Sequence, residues 1–389
     1  MNMGIRTLLA LALCVWAAAP AAAQPCSPVT RSQPLDQAAV VYNSFGSGSP
    51  VLLLHGLFAD KEQWTPLACL LERTGRKVVV PDLPGYGQSV GFGLSAYRLE
   101  EQVRLLHELT RRLGIERLDV AGNSLGGAVA ELFAKSYPEE VRTVAFLGAP
   151  FGYAPWAEPV RQAIFSGINP FIPTTDTELD EELALLFMHP PVLAAERRHA
   201  LLAGYLTNKQ YVQAWNIVNV YAGVLTQMKL AQKPTFIVWG LEDRVFGVVA
   251  ARDLQRQVAG SELHELHGAG HLLHLENATE IAPMYARFLA AGAKDNSTSH
   301  AATGARAWVE ASFVCSSGER IEARFDTRRN RVDLLLSGGR RLSLPQAISA
   351  SGARYANADE SIVFWNEGTA AFMQENGVVT QSDCRAVSR

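Results

Sequence analysis

Three side chains in this sequence have the types and the order needed for nucleophilic acyl transfer: Ser124, Asp243 and His271. Ser124 stands in Val120-Ala121-Gly122-Asn123-Ser124-Leu125-Gly126-Gly127, where a short apolar run feeds into Gly-x-Ser-x-Gly. Glycines on either side suit a serine held on a sharp strand-to-helix turn, because a Cβ would clash in the crowded backbone there. Such a turn exposes the Ser124 hydroxyl and leaves the Leu125 amide free at a helix N-terminus, where it can stabilise an oxyanion. Asp243 follows the apolar run 235–239 in Gly240-Leu241-Glu242-Asp243, which puts an acid in the loop after a strand. Glu242 is its nearest rival, and an ordinary turn aspartate is the structural alternative. His271 closes Gly268-Ala269-Gly270-His271, a turn able to swing a side chain over a sheet, with Glu276 five residues beyond. Its neighbours His264 and His267 fall within a strand pattern, and His274 within the next helix. A neutral imidazole takes a serine proton near pH 7, and an anion behind it fixes its tautomer and stabilises the imidazolium.

These groups need a sheet to carry them. Residues 118–120 read as the strand before Ser124 and 127–133 as the helix after it. A fully apolar strand at 50–54 ends in His55-Gly56-Leu57-Phe58, and a further strand at 77–80 leads into the turn-rich loop Pro81-Asp82-Leu83-Pro84-Gly85-Tyr86-Gly87-Gln88-Ser89. That loop and His55 read as architectural. Together, His55-Gly56, the 82–89 loop, the 122–127 turn, 239–243 and 268–276 resemble the α/β-hydrolase superfamily across residues 38–292. The resemblance implies an α/β-hydrolase fold with Ser124, Asp243 and His271 as its triad. The amide of Leu57 would then supply the second oxyanion donor beside that of Leu125. The run 55–64, the serine turn and Gly167-Ile168-Asn169-Pro170-Phe171 look like bacterial lipases and esterases related to monoacylglycerol lipases. Similar serine turns occur in hydrolases that cleave carbon–carbon bonds of diketones and in some peptidases. Haloalkane dehalogenases and epoxide hydrolases place an aspartate where this chain has Ser124. No cofactor or metal is implied.

The stretch from about 150 to 232 is too long for a plain connection and carries Trp156, Phe165, Phe171, Trp215 and Tyr221 at broadly helical spacing. It reads as a helical cap over Ser124, with most of its aromatics forming its own core. A cap this apolar, without an Arg or Lys cluster, favours a small apolar ester over a phosphorylated substrate.

At the N-terminus, residues 1–6 carry one positive charge, an apolar core follows, and Ala21-Ala22-Ala23 precedes Gln24. This is the pattern of a secretory leader cut after residue 23, too short to span a bilayer comfortably, and it predicts a periplasmic or secreted protein. Four cysteines remain beyond it: Cys26, Cys69, Cys315 and Cys384, an even number that allows three pairings in an oxidising compartment. Pairing Cys315 with Cys384 would close the C-terminal segment, and Cys26 with Cys69 would tether the mature N-terminus. Composition is that of a globular chain, 48% apolar and 19% charged with a formal net charge of −3, and offers no basis for nucleic-acid or membrane-surface binding.

The α/β-hydrolase unit is expected over 24–292, then a small, polar linker at 293–305, then a small all-β domain over 306–389 built of short strands. Phe313-Val314-Cys315, Ala350-Ser351-Gly352-Ala353-Arg354-Tyr355 and Phe364-Trp365-Asn366-Glu367-Gly368 resemble the membrane-bound inhibitor of c-type lysozyme family. In that family a serine of the first of the two paired motifs and a lysine of the second enter the lysozyme cleft. Ser351 matches, whereas the lysine position holds Glu367, whose charge repels a carboxylate pair. Residues 306–389 hold eleven Arg, no Lys and ten acids, a near-neutral balance that steers weakly toward a basic lysozyme. The expected activity is serine-dependent ester hydrolysis. A lysozyme-binding protein, or a module docking another envelope component, with the hydrolase half as scaffold is the alternative from a different class. A carbon–carbon bond hydrolase is the alternative within the superfamily.

Overall fold

The computed structural model describes residues 26–299 and 308–387, except 37, 208–209, 223–224, 226–228, 327–330, 348–352 and 368. The expected leader, 1–23, lies outside the described residues. Among the described residues, one sheet contains β1 (Val29–Pro34), β2 (Ala39–Phe45), β3 (Ser49–Leu54), β4 (Arg76–Pro81), β5 (Leu118–Ser124), β6 (Val141–Pro150), β7 (Thr235–Gly240) and β8 (Glu262–Leu266). Its order is β1-β2-β4-β3-β5-β6-β7-β8. The β1–β2 and β2–β4 pairs are antiparallel, and β3 to β8 pair in parallel.

The helices between the strands are α1 (Thr65–Glu72), α2 (Leu99–Arg112), α3 (Leu125–Ser136), α4 (Glu158–Phe165), α5 (Asp176–Leu186), α6 (Ala195–Thr207), α7 (Gln210–Asn219), α8 (Val249–Gln257), α9 (Leu273–Glu276) and α10 (Ala278–Ser299). Parallel strands covered on both faces need apolar residues at successive positions, and β3 and β7 meet that need, while β5 buries Asp119 against Arg142. Side-chain alternation then sorts them into two layers. Val51, Leu53, Phe236 and Val238 meet α1 and α10, while Leu52, Leu54, Ile237 and Trp239 meet α2, α3 and α8. Each fully buried Leu, Phe or Val contributes about 2 kcal/mol relative to exposure.

Strand order reverses direction between β3 and β5, the position at which open α/β sheets bind ligands beyond the strands' carboxyl ends. The carboxyl ends of β3, β5, β7 and β8 there lead into His55, Ser124, Asp243 and His271. Helices α4 to α7, between β6 and β7, occupy the region expected for the cap. Trp156 stacks on Phe246 at 4.7 Å between ring centroids and lies 5.6 Å from Phe171 and 6.2 Å from Trp215. Phe165 is not part of this aromatic cluster and is 82% exposed.

Helix α10 runs seven residues into the segment read as a linker, 293–305. Ala290, Ala291, Ala293 and Lys294 are strong helix formers, so a small and polar composition there extends the helix instead of ending it. Residues 300–307 lie outside the described residues.

The C-terminal strands are β9 (Trp308–Val314), β10 (Arg320–Asp326), β11 (Arg331–Leu336), β12 (Arg341–Ala347), β13 (Ala353–Ala356), β14 (Ile362–Glu367), β15 (Ala370–Glu375) and β16 (Val378–Val387). They form a closed antiparallel barrel in which β16 returns to β9 through Arg385 opposite Val314. Alternate residues such as Ile321 and Ala323, Val332 and Leu334 fill its interior with Phe313, Phe364 and Met373. Closure removes the free edges that short strands would otherwise expose. Disulfides join Cys26 to Cys69 and Cys315 to Cys384, 43 and 69 residues apart. Loops of that length correspond to about 4 kcal/mol each on the chain-entropy model.

One buried acid sets a pH dependence. Glu131 of α3 is 1% exposed and accepts a hydrogen bond from the Ala231 amide, where the chain leaves the cap. Burial pushes its carboxyl up from the ordinary 4.5 to about 7, opposed by the Ala231 N–H and by Lys135. The native state therefore holds this proton to higher pH than the unfolded chain. The stability it contributes is fully present below about pH 4.5 and is lost as pH rises through about 7. Glu131→Gln is expected to remove about 3 kcal/mol of the fall in stability across that window. Denaturant unfolding of both proteins at pH 4.5 and pH 8 measures this, and parallel pH profiles would refute it.

Candidate active site

At the end of β5 the backbone turns sharply, and Ser124 sits at φ 52°, ψ −118°, a strained conformation for a residue with a Cβ. Helix α3 begins at the next residue, so the Leu125 N–H has no partner within the helix. Two glycines allow the turn. A Cβ on Gly122 would lie 2.1 Å from the Gly126 backbone, and one on Gly126 would lie 2.1 Å from the Leu54 carbonyl oxygen. The start of α3 is thereby pressed against the end of β3.

His271 and Asp243 come together across the sheet edge. His271 Nδ1 and Asp243 Oδ2 are 3.0 Å apart, with both side chains almost fully buried. Asp243 Oδ1 accepts from the Val245 amide at 2.8 Å and the Phe246 amide at 3.0 Å, so the whole carboxylate is fixed. Gly240 allows this approach, since a Cβ there would meet the Ala269 carbonyl at 2.1 Å. Asn123, beside the serine, donates its Nδ2 to Leu147 O at 2.6 Å and to His271 O at 3.0 Å, tying the serine turn to the histidine loop. Sequence reasoning left Asn123 unexplained. The sequence offers only a polar amide next to the serine as a signal.

The rival residues point elsewhere. Glu242 accepts from the Ala269 amide at 3.2 Å. His264 packs against Phe236, and His267 is exposed. His274 is fully buried against Trp64 at 4.1 Å, and burial, reinforced by His271 and His55, pushes its imidazole down to about 3.

The loop after β3 is braced from both ends. Leu83 N–H donates to His55 Nε2 at 2.8 Å, so Nε2 is unprotonated and Nδ1 carries the hydrogen. Nδ1 lies 2.8 Å from the Gly56 carbonyl, which holds the peptide that carries the Leu57 amide. Burial lowers the His55 pKa and keeps this ring neutral. Asp82, fully buried, accepts from the Lys61 amide at 2.7 Å, from Lys61 Nζ at 3.0 Å and from the Gln88 amide at 2.9 Å. Phe58, at φ 55°, lies 4.8 Å from the Tyr211 ring of α7 and so carries the cap.

Leu57, Ser124 and His271 line one narrow cleft, together with Trp156, Phe171 and Leu186 from the cap side, with a cavity of about 40 Å³. Glu276 lies behind the cleft, where it ties two chain segments together. It accepts from the Met188 and His189 amides, both at 2.9 Å, while the Leu272 amide donates to Leu186 O at 3.0 Å. The chain leaving α5 is thus latched to the histidine loop, and a Cβ on Gly270 would meet Met188 N at 2.6 Å. The sequence spacing of Glu276 was visible, but its partner on the cap was not.

In the barrel, Ser351 lies outside the described residues. Glu367 is the last residue of β14, its backbone opposite Ala370.

Residues 51–284 match the model of the alpha/beta hydrolase family, and residues 313–382 match that of the membrane-bound lysozyme-inhibitor of c-type lysozyme. Lipase 1 of Psychrobacter immobilis is 26% identical over 261 residues, which cover 65% of this chain and 80% of that protein. The monoacylglycerol lipase ABHD6 of Bos taurus is 26% identical over 260 residues, covering 63% and 76% respectively. A solved membrane phospholipase A superposes with a TM-score of 0.62 at 25% identity, covering 68% of this chain and 86% of its own.

Proposed function

Since the chain belongs to the alpha/beta hydrolase family, we propose that it is a serine ester hydrolase acting on small apolar acyl esters. The observation that carries this reading is the Asp243–His271 hydrogen bond at 3.0 Å in the same cleft as Ser124. In the proposed reaction Ser124 Oγ attacks the acyl carbonyl carbon and its proton passes to His271 Nε2. Asp243 holds the Nδ1–H tautomer and stabilises the imidazolium. The Leu57 and Leu125 amides receive the oxyanion. On collapse the ester C–O bond breaks, the alcohol leaves with the proton from His271, and the acyl group remains on Ser124. Water, deprotonated by His271, then attacks the acyl-enzyme, releasing the carboxylic acid and restoring Ser124. An apolar acyl chain fits walls formed by Trp156, Phe171 and Leu186. The disulfides support a periplasmic or secreted location, as does the leader pattern. No helix among the described residues is long and apolar enough to cross a membrane.

The match over 313–382 favours a second role for the barrel, binding of c-type lysozyme. With Glu367 in the lysine position, we expect that binding to be weak and independent of Ser124.

The test is hydrolysis of p-nitrophenyl esters from two to sixteen carbons, with fluorophosphonate labelling and a lysozyme assay alongside. Turnover with a chain-length optimum and a label on Ser124, both lost in Ser124→Ala, are the expected results. A label elsewhere, or turnover that survives Ser124→Ala, would refute the mechanism.

A further inference from the structure

The cavity at Ser124 measures about 40 Å³, room for the reacting group of an ester and no more than the start of an acyl chain. A longer chain reaches Ser124 only if a wall gives way, and the walls are not equally held. Leu57 stands on the loop braced by His55 and Asp82, and Asn123 is tied to two backbone carbonyls. Trp156 and Phe171 pack into the aromatic cluster with Phe246 and Trp215. Leu186 is placed differently. It ends α5, and the chain beyond it runs through the exposed Pro190 and Pro191 and the fully exposed Val192 into α6, none of whose thirteen residues is buried. Helix α6 is tied to α5 by surface pairs of Arg198 with Asp176 and Asp180 and by the Tyr205–Glu182 hydrogen bond. The strap between the two helices, 187–194, is fastened at its inner end. Glu276 Oε2 accepts from the Met188 amide and Oε1 from the His189 amide, each at 2.9 Å, and the Leu272 amide donates to Leu186 O at 3.0 Å. The first two bonds need a carboxylate, which offers one acceptor oxygen to each N–H. The His189 imidazole, 77% exposed with Nδ1 3.8 Å from Oε1, adds little to them.

We propose that Glu276 is a positioning residue of the reaction: by pinning Met188 and His189 it holds Leu186 against the cleft and so sets the length of acyl chain that reaches Ser124. This rests on the ester-hydrolase reading above and assigns the specificity of that same cleft. An acetyl group fits with the strap down. A longer acyl chain binds only the strap-up conformation, so its apparent affinity is reduced by the fraction of molecules in that state. Glu276 therefore acts on KM for long chains and leaves the chemical step at Ser124 unchanged.

The test uses the full chain. In wild type, amide hydrogen exchange across 187–194 is followed before and after Ser124 is labelled with a fluorophosphonate carrying a methyl or an octyl chain. The octyl chain should lift the strap and strip the Met188 and His189 amides of protection, whereas the methyl group should leave them protected. Glu276→Gln keeps the size of the side chain but sets an NH2 group against one of the two amides. It should lower KM for p-nitrophenyl octanoate by roughly tenfold. On p-nitrophenyl acetate its kcat should stay within about twofold of wild type. Leu186→Ala, which removes the wall without touching the latch, should shift chain-length preference in the same direction. Unchanged strap exchange in the octyl-labelled wild type, or an equal change on both esters in Glu276→Gln, would overturn the latch. The wild-type exchange decides even where Glu276→Gln does not fold. Failure of either probe to label Ser124, with neither ester turned over, overturns the ester-hydrolase reading itself.

Discussion

Asp243→Asn is expected to lower kcat on a p-nitrophenyl ester by about ten-thousandfold with little change in KM. The cause lies in how the carboxylate is held. Oδ1 accepts two backbone amides, from Val245 and Phe246, and Oδ2 faces His271 Nδ1. In the asparagine the carbonyl oxygen must stay with the two amides, because an NH2 group placed there would meet two donors. The side-chain NH2 then faces His271 Nδ1 and makes that nitrogen the acceptor. The imidazole hydrogen moves to Nε2, which can no longer take the serine proton. Shape and burial are unchanged, so thermal stability should move little. Glu242→Gln is the control: its carboxylate is engaged with the Ala269 amide, away from His271, and turnover should stay within about threefold. Turnover by Asp243→Asn above about a tenth of wild type, or an equal loss in Glu242→Gln, would show that Asp243 is not the orienting acid.

Why the Asp243–His271 pair is legible in the sequence while the part played by Asn123 is not follows from where each signal resides. Ser124 ends a strand, and Asp243 and His271 each stand in the turn after one, and local chemistry marks such places in the chain. The fully buried run of β7 and the glycines of the serine turn are likewise local, since parallel pairing and backbone crowding act within a few residues. Partners across the fold leave no such trace. The Glu276 carboxylate holds backbone amides at Met188 and His189, almost ninety residues away, and amides carry no residue identity that a sequence could display. Asn123 ties the serine turn to the histidine loop through backbone carbonyls of Leu147 and His271, which only coordinates can reveal. The barrel illustrates a middle case. Four short strands were readable between 313 and 344, yet closure depends on β16 finding β9, a pairing of residues about seventy apart. Helix α10 extends into the segment read as a linker for a local reason: alanine serves a helix as well as it serves a flexible segment.

Gly126→Ala should be among the most damaging small substitutions at the site, destabilising the protein by about 4 kcal/mol or more and leaving little soluble protein. Its Cβ would stand 2.1 Å from Leu54 O, 2.5 Å from Leu54 C and 2.6 Å from His55 O, and all three are backbone atoms of the strand end and loop. No side chain can rotate aside, so α3 must withdraw from β3 or the strand must bend. Either movement separates the Leu125 amide at the start of α3 from the Leu57 amide two residues beyond His55. Whatever protein folds should therefore lose one proposed oxyanion donor as well, worth about 3 kcal/mol or roughly a hundredfold in kcat. Gly127→Ala provides the comparison: its Cβ would meet Pro150 Cα at 2.9 Å and Pro150 Cβ at 3.3 Å, a tight contact but a much milder one than 2.1 Å. Stability and turnover of that variant should fall far less. The two variants differ by a single position and share the same helix propensity change, so propensity cannot account for a difference between them. Denaturant unfolding and steady-state kinetics on both decide the matter. Equal stability and turnover in the two would mean that the close contact of α3 with β3 does not govern the serine turn.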